Sequence, residues 1–304
     1  MKPLIFPLLL TLQLVDGLNL CGEPALFRFR IVGGAPVENG LNWMAKLVSF
    51  DESREGIMCG ATVIDNHWLM TAAHCALQLR KRSYVTLRRV SGNKEATFTV
   101  REAFVHPDYD NETARNDIAL LKISSDLSSY GFEPVCLVKD DSELLEEHKT
   151  GLVIGFGLSL DPTSESRLLN LARLQNTSVP IIPEPQCSKT WRRLSLRAVE
   201  ITSTQICAGS YMHGTAPGDS GGPLLVRNSD GQYVQIGITS FGADGLDGII
   251  DQGRFPGVYT RVSSFVPWMQ RVIGSNVSFR SSLSTHPNFS IYSCIFAFWR
   301  TFWR

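Results

Sequence analysis

Residues 218–223, with the sequence GDSGGP, are of the types that could form the nucleophile loop of a hydrolase. Glycine is costly to order and has no side chain to pack, so glycines around Ser220 favour a chemical role over a structural one. Backbone N–H groups in such a loop can point toward one position beside the serine hydroxyl, as an oxyanion hole requires. Taken alone, the segment could also be a glycine-rich turn, which is the weaker interpretation.

Two other segments carry groups that could activate this serine. His74 ends the apolar run LMTAAHC at residues 69–75, and Asp117 stands before an apolar run in NDIALL at residues 116–121. Singly, such a histidine is usually structural or exposed, and such an aspartate usually belongs to a turn. Together with Ser220 they follow the order His, Asp, Ser, which is typical of one class of serine-protease triad.

The chain resembles the chymotrypsin/trypsin-type serine proteases over about residues 31–273. The resemblance rests on motifs in the family's order: IVGG at 31–34, TAAHC at 71–75, DIAL at 117–120, GFG at 155–157, GDSGGP at 218–223, SFG at 240–242 and PGVYTRV at 256–262. It implies an all-β fold of two antiparallel six-stranded β-barrels (chymotrypsin-like) with a C-terminal helix. Short β-branched and aromatic runs between Gly, Pro, Asn and Asp independently favour all-β architecture, and residues 262–273 have helical spacing.

The resemblance implies a role for each residue of the site. Ser220 is the nucleophile, His74 its general base, and Asp117 the group that orients the imidazole. Ser240 matches a serine that hydrogen-bonds this aspartate, and the N–H groups of Gly218 and Ser220 form the oxyanion hole. We therefore expect a serine endopeptidase. The alternative is a protease-like binding protein in which catalysis is dispensable.

The resemblance also implies a zymogen. Cleavage between Arg30 and Ile31 would free an α-amino group able to insert beside Asp219. A buried carboxylate without a partner is unfavourable, so the new ammonium should reorder the nucleophile loop.

Substrate preference depends on three glycines that match the primary pocket of the family: Gly214 at its floor, and Gly242 and Gly257 along its walls. Without a carboxylate at the floor, an open pocket should favour medium or large apolar side chains, because a buried unpaired cation is penalised. In the alternative interpretation, an acidic residue of the 243–255 loop folds into the pocket and restores preference for basic residues. The candidates are Asp244, Asp247 and Asp251.

The ends of the chain differ from its middle. Residues 1–17 have a short apolar core ending in a small residue, which predicts a signal peptide and an extracellular, secreted protein. Residues 18–30 are then the propeptide, residues 31–273 the protease domain, and residues 274–304 a poorly ordered tail. An interfacial membrane anchor is the alternative for the tail, which is aromatic near its end.

Seven cysteines and four N-glycosylation sequons fit an extracellular protein. By the resemblance, the disulfides are Cys59–Cys75, Cys187–Cys207 and Cys21–Cys136, which leaves Cys294 over. The family often has a further disulfide at the pocket, but this chain has Ala216 there and no cysteine between residues 243 and 255. The sequons predict glycans at Asn111, Asn176, Asn276 and Asn288.

The charge balance argues against a nucleic-acid partner, since 29 basic residues match 29 acidic ones. No cofactor and no metal are expected, because the region that matches the family's calcium loop, residues 84–98, has Glu95 as its one carboxylate. The expected partners are protein or peptide substrates, an activating trypsin-like protease and protein protease inhibitors.

Overall fold

The computed structural model describes residues 21, 35–37, 41–50, 56–89, 95–161, 164–169, 174–196, 198–274 and 279–280. Several predicted features lie outside these residues: the signal peptide, the cleavage site at Arg30 and Ile31, the sequons at Asn276 and Asn288, and Cys294.

Strands are the main regular secondary structure of the described chain. In chain order they are β1 (Ala35–Pro36), β2 (Met44–Phe50), β3 (Gly56–Asp65), β4 (Trp68–Thr71), β5 (Ser83–Arg88), β6 (Glu95–Val105), β7 (Ala119–Ile123), β8 (Leu137–Val138), β9 (Thr150–Gly155), β10 (Ser159–Asp161), β11 (Ser164–Leu169), β12 (Gln175–Ile182), β13 (Gln205–Ala208), β14 (Pro223–Arg227), β15 (Tyr233–Phe241), β16 (Gly257–Arg261) and β17 (Phe279–Arg280).

The helices are short. They are α1 (Ala73–Ala76), α2 (Ser142–Glu147), α3 (Glu184–Leu194), α4 (Gly245–Ile250) and α5 (Val266–Ile273), with 3₁₀ turns at Leu127–Tyr130 and Val262–Phe265. The helix predicted at residues 262–273 therefore begins with a 3₁₀ turn and continues as α5. It ends before Gly274, whose φ of 95° lies in the left-handed region that favours glycine.

The first six-stranded barrel closes in the order β2-β3-β4-β7-β6-β5, because β5 pairs back onto β2. All of its pairings are antiparallel. The two-residue period of a strand is clear in β5, where Ser83, Val85 and Leu87 are buried and the intervening residues are more exposed. Alternate side chains of such strands fill the barrel interior.

The second barrel has the order β12-β13-β16-β15-β14-β9 and closes through antiparallel pairing of β9 with β12. Strand β1 adds to it at β12, where Ala35 lies opposite Asn176. The two antiparallel six-stranded barrels and the C-terminal helix confirm the predicted fold class.

Three disulfides link the described cysteines, in the pairing that the resemblance implied. Cys59–Cys75 joins β3 to α1, and Cys187–Cys207 joins α3 to β13. Cys21–Cys136 ties a residue near the start of the chain to the segment before β8. A closed loop of the size between Cys59 and Cys75 stabilises the fold by about 3 kcal/mol in the chain-entropy model.

Two predictions at the edges of the fold need correction. Phe279 and Arg280 form β17, which pairs in parallel with β8, so the prediction of a poorly ordered tail from residue 274 is wrong for these residues. Asn111 is exposed, but Asn176 has 0% exposure within β12, which is incompatible with a glycan on that side chain in this fold. Among the described residues, the longest apolar helices fall short of the length needed to cross a membrane.

Candidate active site

The pairing of β4 with β7 brings the histidine and the aspartate together. Thr71 lies opposite Ala119, so His74 follows β4 at the same edge at which Asp117 precedes β7. His74 Nδ1 lies 2.8 Å from Asp117 Oδ2, and the backbone N–H of His74 donates to Asp117 Oδ1 at 3.0 Å. Since an ionised carboxylate only accepts, Nδ1 carries the hydrogen and the lone pair lies on Nε2.

The second barrel completes the surroundings of Asp117. Ser240 Oγ donates to Asp117 Oδ2 at 2.6 Å, and Thr260 Oγ1 donates to the Asp117 carbonyl at 2.9 Å. Asp117 has 0% exposure, so both carboxylate oxygens exchange water for protein donors. The predicted contact of Ser240 is present. Thr260 was not predicted, because its neighbours in the sequence indicate only a buried strand.

The loop of Ser220 is pressed against the first barrel. The N–H of Gly60 donates to the Ser220 carbonyl at 2.7 Å, and the N–H of Gly221 donates to the Thr239 carbonyl at 2.8 Å. Gly221 has a φ of +77°, and a Cβ built there would lie 2.5 Å from the carbonyl oxygen of Gly60 and 3.2 Å from the N of Ala72. Only glycine permits this approach.

This contact brings Ser220 close to the histidine segment, since Ala72 stands two residues before His74. Ser220 is half-buried. No hydrogen bond joins the hydroxyl of Ser220 to the His74 ring, although the structure describes both residues. Such a bond is often long in a free enzyme and shortens when substrate binds.

The sulfur atoms beside the imidazole are not metal ligands. Nε2 of His74 lies 3.5 Å from Cys75 Sγ, and the donor atoms of Cys59, His74 and Cys75 lie within 4.8 Å of one another. Both cysteines are joined in a disulfide, and a disulfide sulfur is not the thiolate that binds metal ions. The disulfide instead holds the segment that carries His74 against β3.

The two N–H groups predicted for the oxyanion hole are free to donate. Neither that of Gly218 nor that of Ser220 is hydrogen-bonded to another described residue. Gly218 has a φ of +99°, and a Cβ there would lie 3.0 Å from both Gly157 Cα and Met58 Cε. The backbone of the loop is thus held in a conformation that requires glycine.

Asp219 lies under the nucleophile loop with 1% exposure. Its Oδ1 accepts from the Gly157 N–H at 2.7 Å and its Oδ2 from the Ala216 N–H at 2.9 Å. Burial raises the pKa of this carboxyl to about 6, although the two backbone hydrogen bonds act in the opposite direction. The carboxylate is therefore costly to ionise without a cation.

The prediction of an open pocket, made from the three glycines, is wrong at the pocket floor. A Cβ on Gly214 would collide with the carboxamide of Gln252, and one on Gly257 would lie 3.0 Å from Gln252 Oε1. Gly242 has no described atom within 4 Å of its Cβ position, so that wall is open. No local pattern indicated that Gln252 lies there, because its position depends on how the 243–255 loop folds.

The acidic residues of that loop are not at the floor. Asp244 and Asp247 are exposed, and Asp251 Oδ1 accepts from the Arg254 N–H at 3.2 Å. The alternative prediction, that one of these carboxylates lies in the pocket, is therefore wrong. A neutral amide, not a carboxylate, lies against Gly214.

Comparison with known proteins agrees with this architecture. The family model described as Trypsin matches residues 31–269. Transmembrane protease serine 7 of Mus musculus is 33% identical over 267 residues, which cover 84% of this chain and 30% of that protein. Ovochymase of Halocynthia roretzi is 32% identical over 232 residues, covering 72% of this chain and 13% of that protein.

Clotting factor G beta subunit of Tachypleus tridentatus is more similar in length. It is 29% identical over 266 residues, which cover 83% of this chain and 82% of that protein. The chain thus spans less than a third of the mouse and Halocynthia relatives and most of the Tachypleus one. With a family model that covers most of its length and the two barrels that frame His74 and Ser220, the chain belongs to the trypsin family of serine proteases.

Proposed function

We propose that this protein is a secreted serine endopeptidase, made as a zymogen and activated by cleavage after Arg30. The observation that carries the proposal is the environment of Asp117, a fully buried carboxylate bonded to the His74 ring, to the His74 backbone and to Ser240. A protein that only binds has no need of this arrangement, since ordering and desolvating a carboxylate is unfavourable.

The proposed reaction gives each donor and acceptor of the site a role. Ser220 Oγ attacks the carbonyl carbon of the substrate while His74 Nε2 accepts its proton, and Asp117 stabilises the imidazolium. The free N–H groups of Gly218 and Ser220 donate to the oxyanion, and loss of one such donor typically costs about 3 kcal/mol. The C–N bond then breaks as Nε2 returns the proton to the leaving amine, and water releases the acyl group by the same steps.

Activation would act through Asp219. In the uncut chain this carboxylate has two backbone N–H partners and no cation among the described residues. The α-ammonium of Ile31, once free, would supply the missing charge and favour the ionised carboxylate. We expect activity at neutral pH that falls in alkaline solution, as the paired ammonium loses its proton above its ordinary pKa of about 8.

The activator should be a separate protease. The site next to Gly214 offers no carboxylate to a basic side chain, so the enzyme should cleave its own Arg30–Ile31 bond poorly. Purified zymogen incubated alone should remain uncut. Rapid self-conversion would show that the enzyme accepts arginine.

Fluorophosphonate labelling tests the proposed function. The reagent is added to the uncut chain, to the chain cut by a trypsin-like protease, and to a cut Ser220→Ala control. We expect strong labelling of the cut chain only. A cut chain that resists the reagent as fully as the control would refute the proposal and favour a binding role.

A further inference from the structure

Gln252 lies where the floor of the substrate pocket should be. It follows α4 and precedes β16, and it is 3% exposed although its side chain is polar. Burial of an amide requires partners for both its oxygen and its nitrogen. Its partners identify what the side chain does.

Both ends of the carboxamide bond to Thr215, the residue that follows Gly214. Gln252 Oε1 accepts from the Thr215 N–H at 3.2 Å, and Gln252 Nε2 donates to the Thr215 carbonyl at 2.5 Å. The position therefore requires one acceptor and one donor on the same planar group. Glutamate lacks the donor, and its carboxylate would face the Thr215 carbonyl, so the site selects a neutral amide.

Three glycines make the space for this side chain. Besides Gly214 and Gly257, Gly209 approaches it closely, since a Cβ there would lie 2.5 Å from Gln252 Cβ and 3.0 Å from Oε1. Any side chain at these glycines would meet Gln252. The volume that glycines leave at the bottom of the pocket is thus already filled.

The loop that carries Gln252 is anchored by apolar contacts. Ala216, which stands where the family often has a cysteine, clusters with Leu246, Ile249 and Ile250 of α4. These contacts and the two hydrogen bonds to Thr215 join the same two segments that the missing disulfide would join. The amide is therefore held in place and does not lie in the pocket by chance.

We infer that Gln252 determines the substrate preference by forming a raised, neutral floor, so that the enzyme cleaves after small uncharged residues such as alanine, serine and valine. This inference rests on the proposed function. The wall is open at Gly242, so a side chain can enter, but the pocket ends at the Gln252 carboxamide. Long apolar and basic side chains are excluded by length, and basic ones also by the lack of a charge partner.

Matched peptide substrates test the inference in the cut enzyme. They differ only in the residue before the cleaved bond, which is alanine, valine, phenylalanine or arginine. We expect wild type to prefer alanine or valine. Gln252→Ala should shift the ratio of kcat/KM for phenylalanine over alanine upward by about tenfold or more, since each methylene accommodated in a pocket is worth about tenfold or more.

Two further variants give the comparison its controls. Gln252→Met keeps the length of the side chain without the amide, so it should retain the preference for small residues and covers the case in which Gln252→Ala does not fold. Asp247→Asn, an exposed change in the same loop, should leave the ratio unchanged.

The fluorophosphonate reagent counts active sites in every sample and separates the two proposals. A wild-type enzyme that labels fully but prefers phenylalanine or arginine would overturn the inference alone. So would Gln252→Ala with full labelling and an unchanged ratio. Absence of labelling in cut wild type would instead refute the proposed function.

Discussion

Replacing Asp219 with asparagine tests whether this carboxylate is the switch of the zymogen. In the uncut chain, burial raises its pKa from 3.8 to about 6. Below the lower value the group is protonated in both the folded and unfolded states. As pH rises from about 4 to about 6, the carboxyl ionises in the unfolded state before it does in the folded state. Its contribution to the free energy of unfolding is therefore lost across that window. The size of the loss is about 3 kcal/mol.

Asparagine removes this titration. Its amide oxygen can accept from the Gly157 N–H, but its NH₂ group then faces the Ala216 N–H, which costs about 1–3 kcal/mol at every pH. The free energy of unfolding of wild type minus that of Asp219→Asn should therefore fall by about 3 kcal/mol between about pH 3.5 and about pH 7.5. Other carboxyl groups titrate alike in both proteins and cancel in the difference.

Urea unfolding followed by tryptophan fluorescence measures this difference, with Ser220→Ala in both proteins to prevent digestion. After cleavage at Arg30, the new ammonium should stabilise wild type at neutral pH and leave Asp219→Asn unchanged. A difference that stays constant with pH in the uncut chain, or equal stabilisation of both proteins on cleavage, would refute the reasoning.

Two further substitutions test contacts that hold the site together. Ser240→Ala removes a hydrogen bond to the Asp117 carboxylate worth about 1.5–3 kcal/mol, so kcat/KM should fall by about 10- to 150-fold with the fold intact, whereas Ser264→Ala at an exposed position should have no effect. Gly60→Ala would place a Cβ 2.7 Å from Gly222 Cα, so thermal unfolding should show a loss of about 1–3 kcal/mol together with slower fluorophosphonate labelling; unchanged values would mean that the two barrels can separate there without cost.

Short sequence motifs were sufficient to predict the segments that carry the candidate catalytic residues. The histidine, aspartate and serine segments each combine a reactive residue with neighbours that fix its backbone, so their elements could be anticipated. Barrel closure through β9 and β12 was predicted from the family resemblance alone. No short sequence pattern encodes a pairing between two strands that β10 and β11 separate in the chain.

The errors arose where distant contacts decide the outcome. A sequon is a three-residue pattern, but Asn176 is buried because β12 pairs with both β1 and β9. The pocket floor likewise depends on Gln252 reaching Thr215 across 37 positions of the chain. From the sequence, Gly214 and Gly257 predicted an empty pocket. In the fold, they make room for the side chain of Gln252.

The bond between Cys21 and Cys136 has a consequence for the enzyme after maturation. Cys21 precedes Arg30 and Cys136 follows it, so a cut at Arg30 yields two polypeptides that remain one covalent particle. The liberated peptide cannot diffuse away, and its mass appears separately only under a reducing agent. The amino-terminal fragment would stay with the protease and share its lifetime, which makes it a fixed marker by which the matured form can be captured.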